Sequence, residues 1–454
     1  MDELPLAFYA DDFTGATDAL GALSVAGVRA VLFLDRPDPA TVEREFPGVD
    51  ALGMASQARS MTPAEMDDRL DPDFAALEAF DAAVLHYKVC STFDSAPDVG
   101  SVGHAVDLLQ RRFDSPFVPV AVGVPQLGRF VVFANHFATL DGETHRLDRH
   151  PVMRDHPVTP MDESDLRRHL GAQTDRPIGH LDVFDLEGPL AETRAALDEA
   201  TRDDELVVLD TLTEDHLDAV GDLLWTEATE REGADPLVTV GSSGVEYALA
   251  DRWAREGVVA GDPEFPDLDP VDRLVVMSGS ASTVTDEQIE RALADGFAGV
   301  RLDAARLVDP DEAAAERERV VRAATAALDR GESVVCYSVR GPDDPAIERT
   351  NERLADLDAD EGVGKRLGEQ QGRVLRSVLA DADVDRACIA GGDTCSHAAP
   401  ELDVYALEVV APTAPGAPTC RGHARDPQFD GVELALKGGQ LGQPDYFERV
   451  RRGE

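Results

Sequence analysis

Lysine is almost missing from this chain. Of its 42 basic residues only three are lysines, Lys88, Lys365 and Lys437. A composition that has put arginine nearly everywhere keeps lysine mainly where a compact point charge does what a planar guanidinium cannot. Lys88 and Lys437 lie in motif-like segments and are read as functional, whereas Lys365, in a charged helical stretch, is read as an ordinary surface residue. Positive charge as a whole is scarce: 89 acidic residues stand against those 42, for a net charge of −47. Such a surface repels nucleic acid and anionic membranes, which excludes both as main partners. It suits concentrated salt, where screening is short-ranged and self-repulsion is relieved. The expectation is a halophilic protein of the cytoplasm.

Cysteine is also sparse. The five present (Cys90, Cys336, Cys388, Cys395, Cys420) are scattered, odd in number and form no Cys-x-x-Cys pair. That argues against a disulfide framework or a zinc site and for a reducing compartment. No apolar run is long enough to cross a bilayer, and Met1-Asp-Glu-Leu-Pro5 lacks the basic and apolar parts of a secretory signal. Two nucleotide fingerprints are absent. There is no Gly-x-x-x-x-Gly-Lys-Ser/Thr, and no Gly-x-Gly-x-x-Gly follows the first strand.

What the chain does have is a recurring strand–turn–helix pattern. At 454 residues it is too long for one ordinary domain. The expected architecture is α/β: two domains, each on a largely parallel sheet flanked by helices, with a cleft between them. A Gly-, Pro- and Asp-rich stretch sets the boundaries: 1–255, a linker at 256–272, and 273–454.

The strand Leu4–Ala10 runs straight into Asp11-Asp12-Phe13-Thr14-Gly15. Carboxylates at the carboxyl end of a parallel strand stand where such sheets bind ligands. They suit an N-cap, a hydroxyl-bearing substrate or a metal. A helix with a capping-box start at Thr62-x-x-Glu65 leads to a strand from Ala82, which ends in Lys88-Val-Cys-Ser91-Thr92-Phe-Asp94-Ser95. A cation with hydroxyl donors is what a small carboxylate or phosphate needs. Further strand ends deliver Gln126, Arg129, Asn135 and His136, and the tract His145–Thr159, rich in His, Arg and Pro, is read as an anion-attracting lid.

Glycine turns follow at Gly241-Ser242-Ser243-Gly244, Ser278-Gly279-Ser280, Gly391-Gly392-Asp393-Thr394, Gly416 within Thr413–Pro418, and Lys437-Gly438-Gly439. One such turn is weak evidence. Several at equivalent strand ends resemble a nucleotide cradle, because helix starts present unpaired N–H groups to phosphate.

Together these motifs resemble the four-carbon acid sugar kinase family. The resemblance rests on Ala10-Asp-Asp-Phe-Thr-Gly-Ala-Thr-Asp18, Tyr87-Lys88 with Ser91-Thr92, Ser278-Gly-Ser280, Gly391-Gly-Asp-Thr394, Pro415-Gly416 and Lys437-Gly438. It implies an N-terminal acid-sugar domain, a C-terminal nucleotide domain, and ATP- and Mg²⁺-dependent phosphorylation of a threonate-, erythronate- or oxo-tetronate-like acid. On that reading Asp11 and Asp12 hold the acceptor hydroxyls, Lys88, Ser91 and Thr92 hold its carboxylate, and Thr14 and Arg129 also belong to the substrate site. Gly241, Ser242, Ser278, Ser280, Gly391, Gly392, Asp393, Thr394, Gly416, Lys437 and Gly438 surround the nucleotide, with Lys437 reaching phosphate or packing near the ribose. Asp12 or Asp393 is the catalytic carboxylate; the sequence leaves both open, and no metal ligand is assigned. The oligomeric state is open too, with a homodimer allowed.

One departure stands out. Members of the family commonly read Lys-x-Asp-Ser-Thr-x-Arg-Gly-Asn where this chain has Cys90 for the acid and Asp94 for the arginine. Arg129, Arg149 and Arg154 are the candidates to restore the lost cation. The altered motif keeps a non-catalytic sugar-acid sensor as an alternative. An NAD-dependent acid-sugar dehydrogenase is the other, set back by the missing dinucleotide fingerprint.

Overall fold

A computed structural model describes residues 4–140, 142–156, 158–230, 235–259, 265, 268–357 and 362–454. The chain forms two compact units, Met1–Val31 with Arg36–Pro263, and Leu32–Asp35 with Glu264–Glu454. Of the expected linker, residues 260–264, 266 and 267 lie outside the described residues.

The strands of the N-terminal half are β1 (Leu4–Ala10), β2 (Ala30–Phe33), β3 (Ala51–Ala55), β4 (Ala82–Lys88), β5 (Val118–Ala121), β6 (Arg129–Val132), β7 (Asn135–Leu140), β8 (Glu143–Arg146), β9 (Ile178–Leu181), β10 (Leu206–Leu209) and β11 (Leu237–Gly241). The main sheet of the first unit is parallel, in the order β3-β1-β4-β11-β5-β10-β9. β4 is buried at every position, as befits a central parallel strand covered on both faces. Parallel neighbours need crossovers, and helices supply them. Thr62 starts one of these, Pro63–Glu78, through the expected capping box. Its N–H donates to Glu65 Oε2 at 2.8 Å, and Glu65 N–H donates back to Thr62 Oγ1 at 3.4 Å.

A smaller antiparallel sheet, β6-β7-β8, belongs to the same unit. The sequence pattern suggested a strand near Val131 but not this sheet. Its strands are short and half-exposed, so their alternation is weak.

The second unit contains β12 (Val275–Ser278), β13 (Ala298–Arg301), β14 (Val334–Tyr337), β15 (Arg386–Ala390), β16 (Val404–Ala411), β17 (Thr419–Ala424) and β18 (Glu433–Lys437). Its order is β13-β14-β12-β15-β18-β17-β16, parallel as far as β18 and antiparallel across β17 and β16. Leu32 and Phe33 of β2 pair antiparallel with Leu407 and Ala406. The core includes Leu274, Val276, Ile289, Cys388 and Phe447, all inaccessible to solvent. Among the described residues no helix is long and apolar enough to cross a membrane.

Candidate functional site

Adjacent parallel strands deliver their polar ends to one edge of the first unit. Ala10 on β1 pairs with Lys88 on β4, and Lys88 pairs in turn with Gly241 on β11. The register therefore sets Asp11 and Asp12, Lys88 and the Gly241 turn side by side, at the edge where open parallel sheets bind ligands. Asp12 caps the helix Phe13–Val25, its Oδ1 accepting from Gly15 N–H at 2.8 Å. A Cβ on Gly15 would stand 2.8 Å from Lys88 Nζ, so glycine here lets the ammonium approach the start of the helix. Thr14, half-buried, is in the same first turn.

Arg59 completes the cluster, and the sequence reading missed it. It follows β3 in a short 3-10 turn with no glycine signature. Its Nη2 is 3.1 Å from Asp11 Oδ1 and 3.0 Å from Asp12 Oδ1, and its Nε donates to Asp11 Oδ2 at 3.3 Å. Burial pushes the Asp11 carboxyl up to about 6; Arg59 opposes that shift, and the charge of Asp12 adds to it. Burial alone would lower Lys88, yet the carboxylates of Asp18, Asp12 and Glu246 hold its ammonium above the ordinary value. Asp18 Oδ2 lies 3.8 Å from Lys88 Nζ. Glu246 is wholly buried and paired with His86 Nδ1 at 2.9 Å.

Arg59 is a further cation at the altered motif, beside the Arg129, Arg149 and Arg154 expected there. Its charge acts on both Cys90 and Asp94, the two altered positions. Arg154 instead pairs with Asp155 at 2.9 Å, and Arg149 is exposed. Arg129 donates through Nη1 to the carbonyls of Leu127, Gly128 and Thr139, at 3.0, 3.3 and 3.3 Å. Thr92, expected to grip a substrate carboxylate, donates a hydrogen bond to Asp94 Oδ1 at 2.5 Å, because a buried carboxylate takes the nearest donor. Thr159 donates to the other oxygen of Asp94 at 3.1 Å, which staples the end of the His- and Arg-rich tract to this motif. Ser91 is half-buried beside it.

Gly241 and Ser242 were expected around a nucleotide; they stand beside Lys88 in the first unit, because β11 pairs directly with β4. Ser242 Oγ donates to Val122 O at 2.7 Å and accepts from Gly244 N–H at 3.1 Å.

In the second unit, three neighbouring parallel strands, β12, β15 and β18, end together in glycine turns. Gly279 N–H donates to Ala390 O at 3.1 Å, and Gly391 N–H donates to Lys437 O at 2.9 Å. Gly391 has φ of 120°, a region that side chains resist, and a Cβ there would stand 3.0 Å from Thr394 Oγ1. A Cβ on Gly439 would meet Ser280 Oγ at 2.6 Å. The turns that carry Ser278 and Ser280, Gly391, Gly392 and Thr394, and Gly438 are thereby packed side by side. Asp393 is exposed in the first turn of the helix Gly392–Ala398. Gly416 adopts φ of 69° in the 413–418 turn, whose Ala414 and Ala417 join the core beneath.

The Lys437 ammonium is engaged within its own unit. It is buried, donating to Thr285 Oγ1 at 2.9 Å and to Gly439 O at 3.4 Å, and burial pushes it down to about 8. It secures the Gly438–Gly439 turn from within. Gln371 was also missed: fully buried on the helix Val363–Ala382, it donates to Ser278 O at 3.0 Å and leaves Oε1 unpartnered beside Gly279. Within a helix of charged composition nothing singled it out. Among the described residues no group of three or more His, Cys, Asp or Glu side chains is arranged to hold a metal.

Comparison with known proteins follows the same division. Residues 6–249 match a family described as a sugar-binding N-terminal domain, and residues 275–447 one described as a nucleotide-binding C-terminal domain. The chain is 44% identical over 456 residues to the 3-oxo-isoapionate kinase of Paraburkholderia graminis, covering 99% of this chain and 94% of that protein. It is 30% identical over 450 residues to the 3-oxo-tetronate kinase of Cupriavidus necator, covering 98% and 95%. A Salmonella typhimurium LT2 crystal structure, provisionally described as a tRNA synthase, aligns with a TM-score of 0.77 at 26% identity over 99% of both chains. A Haemophilus influenzae protein aligns with a TM-score of 0.71 at 22% identity, over 98% of this chain and 99% of that one, which shows the fold alone.

Proposed function

The chain belongs to the four-carbon acid sugar kinase family, and on that premise we propose that it phosphorylates a 3-oxo sugar acid such as its relatives are named for, 3-oxo-isoapionate or 3-oxo-tetronate. That it is a kinase of small sugar acids follows from the family; the particular acid and the residue roles are our reading. The observation that carries it is the alignment of Asp11–Asp12, Lys88 and Arg59 on neighbouring strand ends.

Phosphoryl transfer asks a protein for alignment and for charge stabilisation. In the first unit Lys88 and Arg59 attract the anionic acid, with Thr14, Ser91 and the Gly241–Ser242 turn shaping its seat. Asp12 has one oxygen engaged by Gly15 and Arg59, so its other oxygen accepts the proton of the attacking hydroxyl. The new O–P bond forms as the bond to the departing ADP breaks, and the proton stays on Asp12. In the second unit the Ser278–Ser280 and Gly391–Thr394 turns present N–H groups to the phosphates, and Gln371 and Lys437 keep those turns in place. Mg²⁺, where bound, would supply positive charge to offset that of the transferring phosphate. An exposed single carboxylate, Asp393, fits an ion held mostly by phosphate and water. The acidic surface supports a protein that works in a salt-rich cytoplasm.

Two variants test this division of labour. Asp393→Asn removes nucleotide-dependent turnover while acid binding, measured by calorimetry, stays near the wild-type value. Asp12→Asn keeps ATP binding and loses turnover by about 10²–10⁴-fold. Equal loss of both ligands in either variant refutes the assignment.

A further inference from the structure

The sheet β6-β7-β8 has one buried face. Val131 pairs with His136 and Arg129 with Ala138, so strand alternation puts all four side chains on that face. Val131, His136 and Ala138 are inaccessible to solvent. Neither ring nitrogen of His136, nor Nε of Arg129, has a hydrogen-bond partner among the described residues. A buried polar group left unpaired has lost its water without gaining a partner, which costs stability. Three on one face call for an explanation, since native interiors pair such groups.

Their surroundings supply one. Arg129 is pinned through Nη1 to three backbone carbonyls, which fixes its plane and leaves Nε free. Cys90 acts electrostatically on Arg129, and Asp94, His169 and His150 act on His136. The backbone places the orphaned nitrogens near these groups as well: His136 N–H donates to Ser164 O at 2.9 Å and Leu166 N–H to Ala134 O at 2.9 Å. His169, on the helix that Leu166 begins, is hydrogen-bonded through Nε2 to Ser95 Oγ at 2.9 Å, in the segment after Lys88 where this chain departs from the family pattern. Burial, with Arg129 adding to it, holds His136 down to about 3. Its ring is therefore neutral at working pH, with one donor and one acceptor. Such a group reads an uncharged oxygen; a carboxylate is left to the cations.

We propose that His136 is a specificity-determining residue of the acid site: together with Arg129 Nε it hydrogen-bonds a carbonyl or hydroxyl oxygen next to the carboxylate of the sugar acid. This rests on the acid-kinase reading above and deepens it. The unpaired nitrogens are the stability cost of a site that is satisfied only when the ligand arrives.

The test uses the full-length protein, His136→Phe and His136→Gln, with ATP and paired acids that carry or lack that oxygen. A site built to hydrogen-bond an oxygen rejects the deoxy analogue by about 10²-fold or more. His136→Phe is expected to raise KM for the oxygenated acid by about tenfold or more and to shrink that preference below about tenfold. KM for ATP stays unchanged, and Tm is unchanged or higher because a buried orphan has gone. His136→Gln, which keeps a donor and an acceptor, restores part of the preference and also serves if the phenylalanine variant does not fold. Unchanged acid KM and unchanged preference in both variants overturn the proposal and leave the kinase reading intact. A wild type that consumes no ATP with any acid sinks that reading instead. Calorimetric binding of the two acids to wild type and His136→Phe then decides the proposal alone.

Discussion

Arg59 Nη2 lies 3.0 Å from Asp12 Oδ1 while the same nitrogen lies 3.1 Å from Asp11 Oδ1. One guanidinium thus holds two carboxylates that adjoin in sequence and would otherwise repel. The pair is set by β1, the cation by the turn after β3, and the two strands are direct parallel neighbours.

Arg59→Leu is therefore expected to destabilise the protein by about 3 kcal/mol, the order of cost for stripping a mostly buried carboxylate of its partner. It should also abolish acid binding. Arg59→Lys keeps the charge but not the fork that touches both acids, so it should recover stability better than kcat/KM. Thermal melts and steady-state kinetics on the two variants check this; equal recovery of both quantities would count against the fork.

The Asp11 carboxyl, raised by burial from 3.8 to about 6, predicts a pH effect with a definite sign. Between those values the folded state binds more protons than the unfolded one. The stabilisation this brings is present below about pH 4 and is lost as pH rises to about 6. Activity runs the other way, because the ionised pair is the form that orders Arg59. The profile of kcat/KM for the acid should climb to a plateau above about pH 6, and Asp11→Asn should remove that acid limb.

Gly391 tests the nucleotide cradle. With φ of 120° and Thr394 Oγ1 3.0 Å from any added Cβ, Gly391→Ala should strain the turn by about 1–3 kcal/mol. KM for ATP is expected to rise while calorimetric affinity for the acid holds. A variant that loses the acid and keeps ATP contradicts the assignment of this turn.

The net charge of −47 predicts a stability that depends on salt. Melting in molar KCl should exceed that in dilute buffer by more than about 5 °C, roughly what 1–2 kcal/mol of relieved repulsion gives a domain of this size. An unchanged Tm would remove the argument for salt adaptation.

How much of this could be read from the sequence follows from what each residue leaves behind in it. Asp11–Asp12, Lys88 and the turn at 391–394 end continuous apolar runs, so each strand and the edge at which it ends were visible together. Arg59 left no such trace. Its turn lacks glycine, and among so many arginines it looked ordinary. Thr92 had the right chemistry, but its hydroxyl donates to Asp94 only two residues on, a local turn contact that the residue types alone did not reveal. Gly241 and Ser242 looked like the other glycine turns, and only the pairing of β11 with β4 assigns them to the first unit. The antiparallel strands β16 and β17 went unread because the pattern on either side was parallel.

The most direct measurement of the account is product formation. Purified protein in high KCl is given ATP, Mg²⁺ and one 3-oxo sugar acid at a time, and ADP and the acid are followed by mass spectrometry. The account predicts one ADP for each acid that becomes heavier by a phosphoryl group, with no ADP when the acid is omitted. ADP formed without a phosphorylated acid, or no turnover with any acid in the panel, would contradict it.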